Sequence, residues 1–568
     1  MATEPEIAET DTPLERQFDR WSRHLLAGIL PGPISPFTKS VIAPLLEGAT
    51  QKAFKSIGAK PNPDSLFFSD IYGRLYVNSA LLGDCLLAQT PVYREILPDA
   101  YNQAPDEKPD RWNGWWACVS LLARSGRYLK TLKEKVEMIS TYLSSPQARI
   151  LRNDLRGKSD ASIYLQFEKV YNEYAQAVFA VFQEALLCSV IAHSALRNAI
   201  IYFTGDENNI AWTELLTYDE NKIAADLWKL ARLAASIGNI PEKLLKAKSW
   251  GEVESDMARI EGGELFLRRL KKFLDNYGDK CFGFLELSRP RWHENPAELS
   301  VMIYAIVKAG EATEPLIKNR TAAKKAREAF RKSRHRRGFM SGIFLNASIR
   351  QTKKVYALHS EIGRYMERTL GDLRSLAVEA GRRFKERGEL ASTADVFFLT
   401  MNEIKQVLAL EKLSTEMGDL VEERREEFNN LSEMKSAPTI ISGDEQAPEE
   451  PGPYSAERYL YGAGVSGESY TGGARVVTDP VEICEVLPGE VVVVTEIDDT
   501  FAPVTAVCGA MVIEAGGALS GGAVAARCFG IPCVTMVEKA CSLISTGDII
   551  TVDGVSGKIT VKSALESC

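Results

Sequence analysis

Apolar residues recur at three- and four-residue spacing through two long proline-free stretches, Ser162 to Phe203 and Ile349 to Arg387. Only Gly363, Gly371 and Gly381 interrupt the second. That spacing predicts amphipathic helices packed against one another. Residues 20–433 read as mainly helical, ending in a helix-like run at 402–433. Two short β-like patches break the pattern, Gly73-Arg74-Leu75-Tyr76-Val77 and Asp395-Val396-Phe397-Phe398-Leu399. Residues 434–455 hold Pro438, Pro448, Pro451 and Pro453 within an acidic cluster and keep no period, which predicts a linker. Short β-branched runs follow at Ala474–Val477 and Glu490–Val494, then glycine-rich turns, a helix expected near Gly522, and the run Ile549 to Gly554. Residues 456–568 are therefore expected to form a compact α/β domain on a tether. The acidic segment 1–19 is expected to be disordered.

A chain of 568 residues has room for two to four domains. Its 45% hydrophobic and 25% charged content is ordinary for a soluble globular protein. A net charge of -8 and a pI near 5.6 argue against nucleic acid as a partner. The basic run Arg331, Lys332, Arg334, Arg336 and Arg337 reads as a solvated helix end or loop. No window approaches 18 apolar residues without a charge, so no membrane span is expected. The acidic N-terminus lacks an apolar signal core, which leaves a cytoplasmic location as the expectation. Ten scattered cysteines read as reduced thiols packed as small apolar residues. Cys528, Cys533 and Cys541 lie close together, yet no CxxC pair or nearby His completes a metal set, so neither metal nor cofactor is expected. The sequence leaves the oligomeric state open.

Residues 516–532 read GGALSGGAVAARCFGIP. This resembles the mobile-domain signature of the phosphoenolpyruvate (PEP)-utilising phosphotransferases, Gly-Gly-x-x-Ser/Thr-His-x-Ala-x-x-Ala-Arg-x-x-Gly-Ile-Pro, in which the His carries the phosphoryl group. Gly516, Gly517, Ser520, Ala523, Ala526, Arg527, Gly530, Ile531 and Pro532 match; the His position is Gly521. A residue without a side chain cannot act as a nucleophile. Pro31-Gly32-Pro33-Ile34-Ser35-Pro36, Gly73 to Asn78, Phe273 to Pro296, Arg350-Gln351-x-x-Lys354 and Asp395 to Leu399 resemble further segments of the rifampin-phosphotransferase-like members, in the family's order. The resemblance implies a mainly α substrate-binding domain followed by a small α/β swivelling domain of the phosphohistidine type. Nothing before residue 31 resembles the family's nucleotide-binding domain, so ATP-dependent phosphotransfer by this chain alone is not expected.

Where relatives read Tyr-Gly-His-Arg-Gly-x-x-Glu, this chain has Tyr277-Gly278-Asp279-Lys280-Cys281-Phe282-Gly283-Phe284. The helix motif Arg-Glu-x-x-Lys has become Arg350-Gln351-x-x-Lys354. The resemblance implies that Arg350 and Lys354 share a helix face looking into the substrate cavity, where they would bind a carboxylate or enolate oxygen with Gln351 as a neutral donor. Asp279 and Lys280 read as a structural ion pair, or as catalytic groups if the site is dry. Cys281 has no His nearby and is a weak candidate nucleophile, and Ser520 has no evident base beside it. Phe284, Trp115 and Trp116, with Trp112, are candidate walls of an apolar pocket or ordinary core. Of the histidines in the helical region, His193, His293 and His359, the last is expected to pack and His293 to lie in a turn.

These features point to a repurposed, non-phosphotransferring enzyme of specialised natural-product biosynthesis. It would carry out an ATP- and metal-independent cyclisation, isomerisation, cycloaddition or dehydration of a bulky apolar substrate. A non-catalytic pseudo-phosphotransferase that binds a metabolite or a partner protein is the alternative; half of a split phosphotransferase is a third reading. In either of the first two, the former carrier domain would serve as a lid over the cavity.

Overall fold

The computed structural model describes residues 20–61, 65–87, 114–143, 155–204, 222–308, 339–409, 416–433, 438–442, 457–477, 480–497 and 507–562, with a few single positions between. The periodic stretches are helices. A first helix spans Pro36–Ser56. Asp160–Lys169 continues through a π-helical turn, Val170–Ala175, into a core helix, Gln176–Thr204. The long helix Phe339–Glu386 runs for 48 residues. The core helix packs against the long helix, the first helix and the helix Trp115–Leu143. Phe37, Phe167, Phe179, Leu370 and Phe384 are among the buried side chains of that core, where Phe37 meets Phe167 and Phe397 edge-on at 6.5 and 5.9 Å. By length and composition Asp160–Phe203 would also cross a membrane, but 67% of its most apolar window is buried inside the protein, as in a core helix. A smaller helical group, which includes Lys222–Ser236, Gly263–Tyr277 and Ala297–Lys308, surrounds Phe266 and Trp292.

Two expectations are corrected here. Part of the presumed linker is a strand. Strands β1 (Arg20–Ser22), β2 (Phe68–Ile71), β3 (Arg74–Asn78) and β4 (Ile440–Ser442) form an antiparallel sheet in the order β2-β3-β1-β4, with Trp21 opposite Ile441. Ile441 packs with Trp21 and Tyr76, and the Tyr76 hydroxyl donates to the Pro438 carbonyl at 2.6 Å. The patch Asp395 to Leu399 is no strand either: Thr393–Phe398 is a 3₁₀ turn. A capping box closes it, Ser392 accepting from the Ala394 N–H while Asp395 accepts from the Ser392 N–H. The run at 402–433 holds two helices, Met401–Leu408 and Met417–Glu433.

The long helix crosses that turn at Gly381, where an added Cβ would lie 2.4 Å from the Thr393 carbonyl oxygen. Gly381→Ala is expected to lower stability by about 2–3 kcal/mol, because backbone must move to relieve the overlap. Gly48→Ala, in open space within the first helix, should instead stabilise by about 0.5–1 kcal/mol. Calorimetric melting of the two variants decides.

The C-terminal part forms an eight-stranded mixed sheet from β5 (Glu457–Tyr461), β6 (Ala463–Ser466), β7 (Ser469–Val477), β8 (Val491–Val494), β9 (Ala510–Ile513), β10 (Cys533–Thr535), β11 (Ile549–Asp553) and β12 (Lys558–Lys562). Its order is β5-β12-β11-β7-β8-β9-β10-β6, parallel from β7 to β10 and antiparallel elsewhere. All four residues of β8 are buried valines, as a parallel strand covered on both faces requires. The helix Gly521–Phe529 covers one face and Ala540–Leu543 the other. This domain is seated on the helical one. Phe282, Val301 and Ala305 share a single apolar cluster with Ile483, Ala523 and Phe529.

Candidate functional site

The loop after β9 leads into Gly521, the position at which the resembling signature has its His, and its geometry is tightly specified. Gly516 has a φ of 99°, open to glycine without strain. Ser520 caps the following helix, accepting from the Ala523 N–H and donating to the Gly517 carbonyl at 2.8 Å. Gly521 is the first helical residue. Arg527 returns an Nη2–H to the Ala518 carbonyl at 2.6 Å, which braces the loop from its own helix. Gly530 then ends the helix in the left-handed region. At the apex, Leu519 packs against both the main helical core and a second cluster containing Phe203, Leu345 and Tyr356.

Below that loop two buried polar groups meet. Nδ1 of His193, on the core helix, lies 2.7 Å from the Tyr356 hydroxyl on the long helix. Burial, followed by the Arg527 and Arg197 charges, holds the His193 imidazolium far below its ordinary range. Burial likewise raises the Tyr356 phenol. At neutral pH the pair is therefore an uncharged imidazole against an uncharged phenol, with one proton shared between two ring systems. Arg197 follows His193 by four positions, so both leave the same helix face. Thr352 fixes the long helix here, donating towards the Ala192 and Ser348 carbonyls at 3.2 and 3.0 Å.

The buried histidines set a pH dependence. His359 packs 4.9 Å from the Phe182 ring, and burial lowers its pKa to about 4. An unfolded histidine titrates near 6.5, so the unfolded chain takes up these protons first as pH falls. Stability is thus complete above about pH 6.5 and lost towards pH 4, by on the order of 2–3 kcal/mol for His359 alone. His359→Leu should flatten the fall in the urea midpoint between pH 7 and 5; an unchanged slope would exclude the residue as its source.

The sequence-predicted residues are dispersed. Arg350 and Lys354 do share a face of the long helix, but both are exposed, and the Arg350 Nε–H donates to the Asn346 carbonyl at 3.3 Å. They do not bond to the His193–Tyr356 pair. Gln351 turns inward instead, donating to the Leu122 carbonyl at 3.0 Å and meeting Ser125 Oγ, which ties the long helix to Trp115–Leu143. Lys280 and Glu367 form a buried ion pair at 2.5 Å. Asp279 sits 3.8 Å from His293 Nδ1 and close against Gly371 of the long helix. Cys281 is wholly buried and accepts from Arg291. Phe284 belongs to the main core. Trp115 lies within an aromatic group, 5.8 Å from Phe203 and 5.0 Å from Phe344, whereas Trp116 is 79% exposed. Trp112 and the basic run at 331–337 lie outside the described residues. His293 holds its turn through Gly278, at 2.7 Å from the carbonyl.

The retained motifs have a structural meaning. Glu286 accepts from the Ser35 hydroxyl and N–H, the Thr38 hydroxyl and the Ser288 N–H, at 2.7 to 3.1 Å. It thereby fastens the Pro31–Pro36 segment to the loop before Trp292. Among the described residues, no three His, Cys, Asp or Glu side chains converge as a metal-ligand set.

The architecture is a helical domain bearing a glycine-looped α/β domain over its core helices, and family models match a part of each. Residues 486–557 match the model of the PEP-utilising enzyme mobile domain, and residues 181–358 that of the rifampicin phosphotransferase fourth domain. Each of these two matches covers less than half of the chain, and both liken it to the PEP-utilising, rifampicin-phosphotransferase-like proteins. It is 28% identical over 326 residues to a rifampicin phosphotransferase of Streptomyces sviceus, covering 54% of this chain and 36% of that one. With the rifampicin phosphotransferase of Bacillus subtilis it shares 24% over 445 residues, or 75% and 50% of the two chains. An uncharacterised phosphotransferase of Bacillus subtilis, YvkC, is 24% identical over 581 residues, covering 94% of this chain and 61% of its own length. The chain thus spans less than two thirds of each of these relatives.

Proposed function

We propose that this chain is a non-phosphotransferring member of its family, an enzyme that rearranges a bulky apolar substrate at the seam between its two domains. The observation that carries this reading is Gly521, which leaves the docked loop without the imidazole that would accept a phosphoryl group. The groups facing the loop suit proton movement better than phosphoryl movement. The His193–Tyr356 pair places a neutral imidazole against a neutral phenol, a donor and an acceptor for a proton relay to a carbon acid or an enol, with bound substrate offsetting the burial that weakens both. Arg527 and Arg197 place positive charge where an oxyanion would develop. Trp115, Phe203 and Phe344 supply the apolar wall that holds a folded conformer. The reaction class is cyclisation, isomerisation, cycloaddition or dehydration.

Accurate-mass comparison of metabolites from a strain lacking the gene and its complemented parent tests this. A substrate and product of equal mass, or differing by one water, supports the reading. A product heavier by a phosphoryl group overturns it. A compound that only falls in amount, with no product, would make the chain a binding protein.

A further inference from the structure

We propose that Glu496 latches the α/β domain onto the helical one by offsetting the charge of Arg74, which Arg23 crowds, so that the docked domain is held by an ionic catch. The latch is independent of which chemistry the seam performs.

The catch lies where the segment before the first helix meets the loop after β8. Residues 23–30 form a short turn, in which the Leu26 and Ala27 N–H groups bond to the Arg23 carbonyl at 2.9 and 2.8 Å. Gly28 of that turn faces the α/β domain: an added Cβ would lie 3.2 Å from the Ile497 carbonyl oxygen. The Ile497 side chain also meets Gly522 of the α/β domain's own helix, where an added Cβ would lie 2.2 Å from Cγ2. Two glycines thus make room for one buried isoleucine at the seam, and its neighbour Glu496 is brought towards the helical domain's small sheet.

Arg74, on β3, is 6% exposed and donates to the Tyr72 and Leu431 carbonyls at 3.1 and 3.2 Å. Arg23 donates to the Leu30 and Pro31 carbonyls at 3.4 and 2.8 Å and lies 5.9 Å from the centre of the Tyr76 ring. These carbonyl partners are neutral, so they leave the repulsion between the two guanidiniums in place. Burial first, and then the Arg23 charge, disfavour the charged form of Arg74; Tyr76 and Glu496 favour it. Of these groups only Glu496 belongs to the α/β domain. Lifting that domain removes the carboxylate and leaves two like charges close together in a poorly hydrated place. Undocking therefore carries an electrostatic cost in addition to the loss of the apolar contacts at Phe282, Val301 and Ala305. Because part of the hold is ionic, added salt loosens it.

Hydrogen–deuterium exchange of the full chain, read by mass spectrometry, tests the latch. Peptides covering 281–285 and 480–486 report the docked seam, and one covering 179–192 reports the core helix. Glu496→Lys should speed exchange of both seam peptides about tenfold and leave the core-helix peptide unchanged, since only the undocked population grows. In the unaltered chain, raising sodium chloride from about 50 to about 500 mM should speed the seam peptides about threefold. Glu496→Gln, which keeps the side chain's shape, should exchange faster at low salt and lose most of that salt response. Seam exchange in Glu496→Lys within twofold of the unaltered chain overturns the proposal, as does a salt response that persists in Glu496→Gln. Faster exchange in the core-helix peptide as well would mean that the substitution loosens the fold, and would overturn it too.

Discussion

His193→Ala and Tyr356→Phe are each expected to lower turnover by about 10²- to 10⁴-fold, the range that removal of a positioned acid or base produces. Both groups are buried, and each is the other's hydrogen-bond partner at 2.7 Å. Loss of either one therefore removes that hydrogen bond and breaks the proton path. The stability cost of losing one buried hydrogen bond, about 1–3 kcal/mol, is read separately by melting each variant. A proton-transfer role predicts a fall in kcat with KM nearly unchanged, because neither group is needed to hold the apolar body. Turnover within threefold of the unaltered chain for both variants would remove the pair from the chemistry. The assay is product formation by purified protein from the compound that accumulates in the deletion strain.

The second large effect falls on stability. Lys280→Met is expected to lower the melting temperature by about 3–6 °C, corresponding to a loss of about 3–5 kcal/mol. Lys280 and Glu367 are 4% and 8% exposed, so little water compensates either charge for loss of the ion pair between them. Glu367→Leu alone should cost a similar amount. The double variant should recover most of it, since two apolar side chains of similar volume remove both buried charges together. Calorimetry on the four proteins closes the cycle. Additive losses would mean that the ion pair is not what holds these helices together there. This outcome also bears on chemistry: a lysine fastened to a buried glutamate orders the loop at 277–296 and is not available to substrate.

The helical half was legible because its periodicity is long. Phe339–Glu386 repeats its apolar positions over enough turns to outvote four glycines. The α/β half was legible through one glycine-rich signature. What escaped was short or non-local. Ile440–Ser442 is a strand only because Arg20–Ser22 lies beside it, and no window of sequence contains both. Val396-Phe397-Phe398 looks like a strand by composition, yet the Ser392–Asp395 capping box was the available signal for a turn. The site residues follow the same division. That Arg350 and Lys354 share a face was readable from their spacing. Which way the face points was also encoded, in the buried stripe Ser348, Thr352, Val355, Ile362 and Met366 on the opposite side. His193 and Tyr356 were missed because their pairing spans two helices. The clue was polarity out of place, an imidazole in the middle of the apolar run from Val190 to Leu196.

The pairing of β1 with β4 has a consequence for the order of events at the ribosome. The first described strand of the helical domain waits for almost the last piece of that domain before its second edge is covered. Until residue 442 has left the exit tunnel, β1 keeps unpaired backbone groups along that edge, and Trp21 and Tyr76 lack the cover of Ile441. The nascent chain therefore carries an adhesive edge through most of its synthesis, and sealing it coincides with the emergence of the segment that leads into the α/β domain. A fragment cut within the helix Met417–Glu433 would keep that edge permanently, whereas one extended past Ser442 would not.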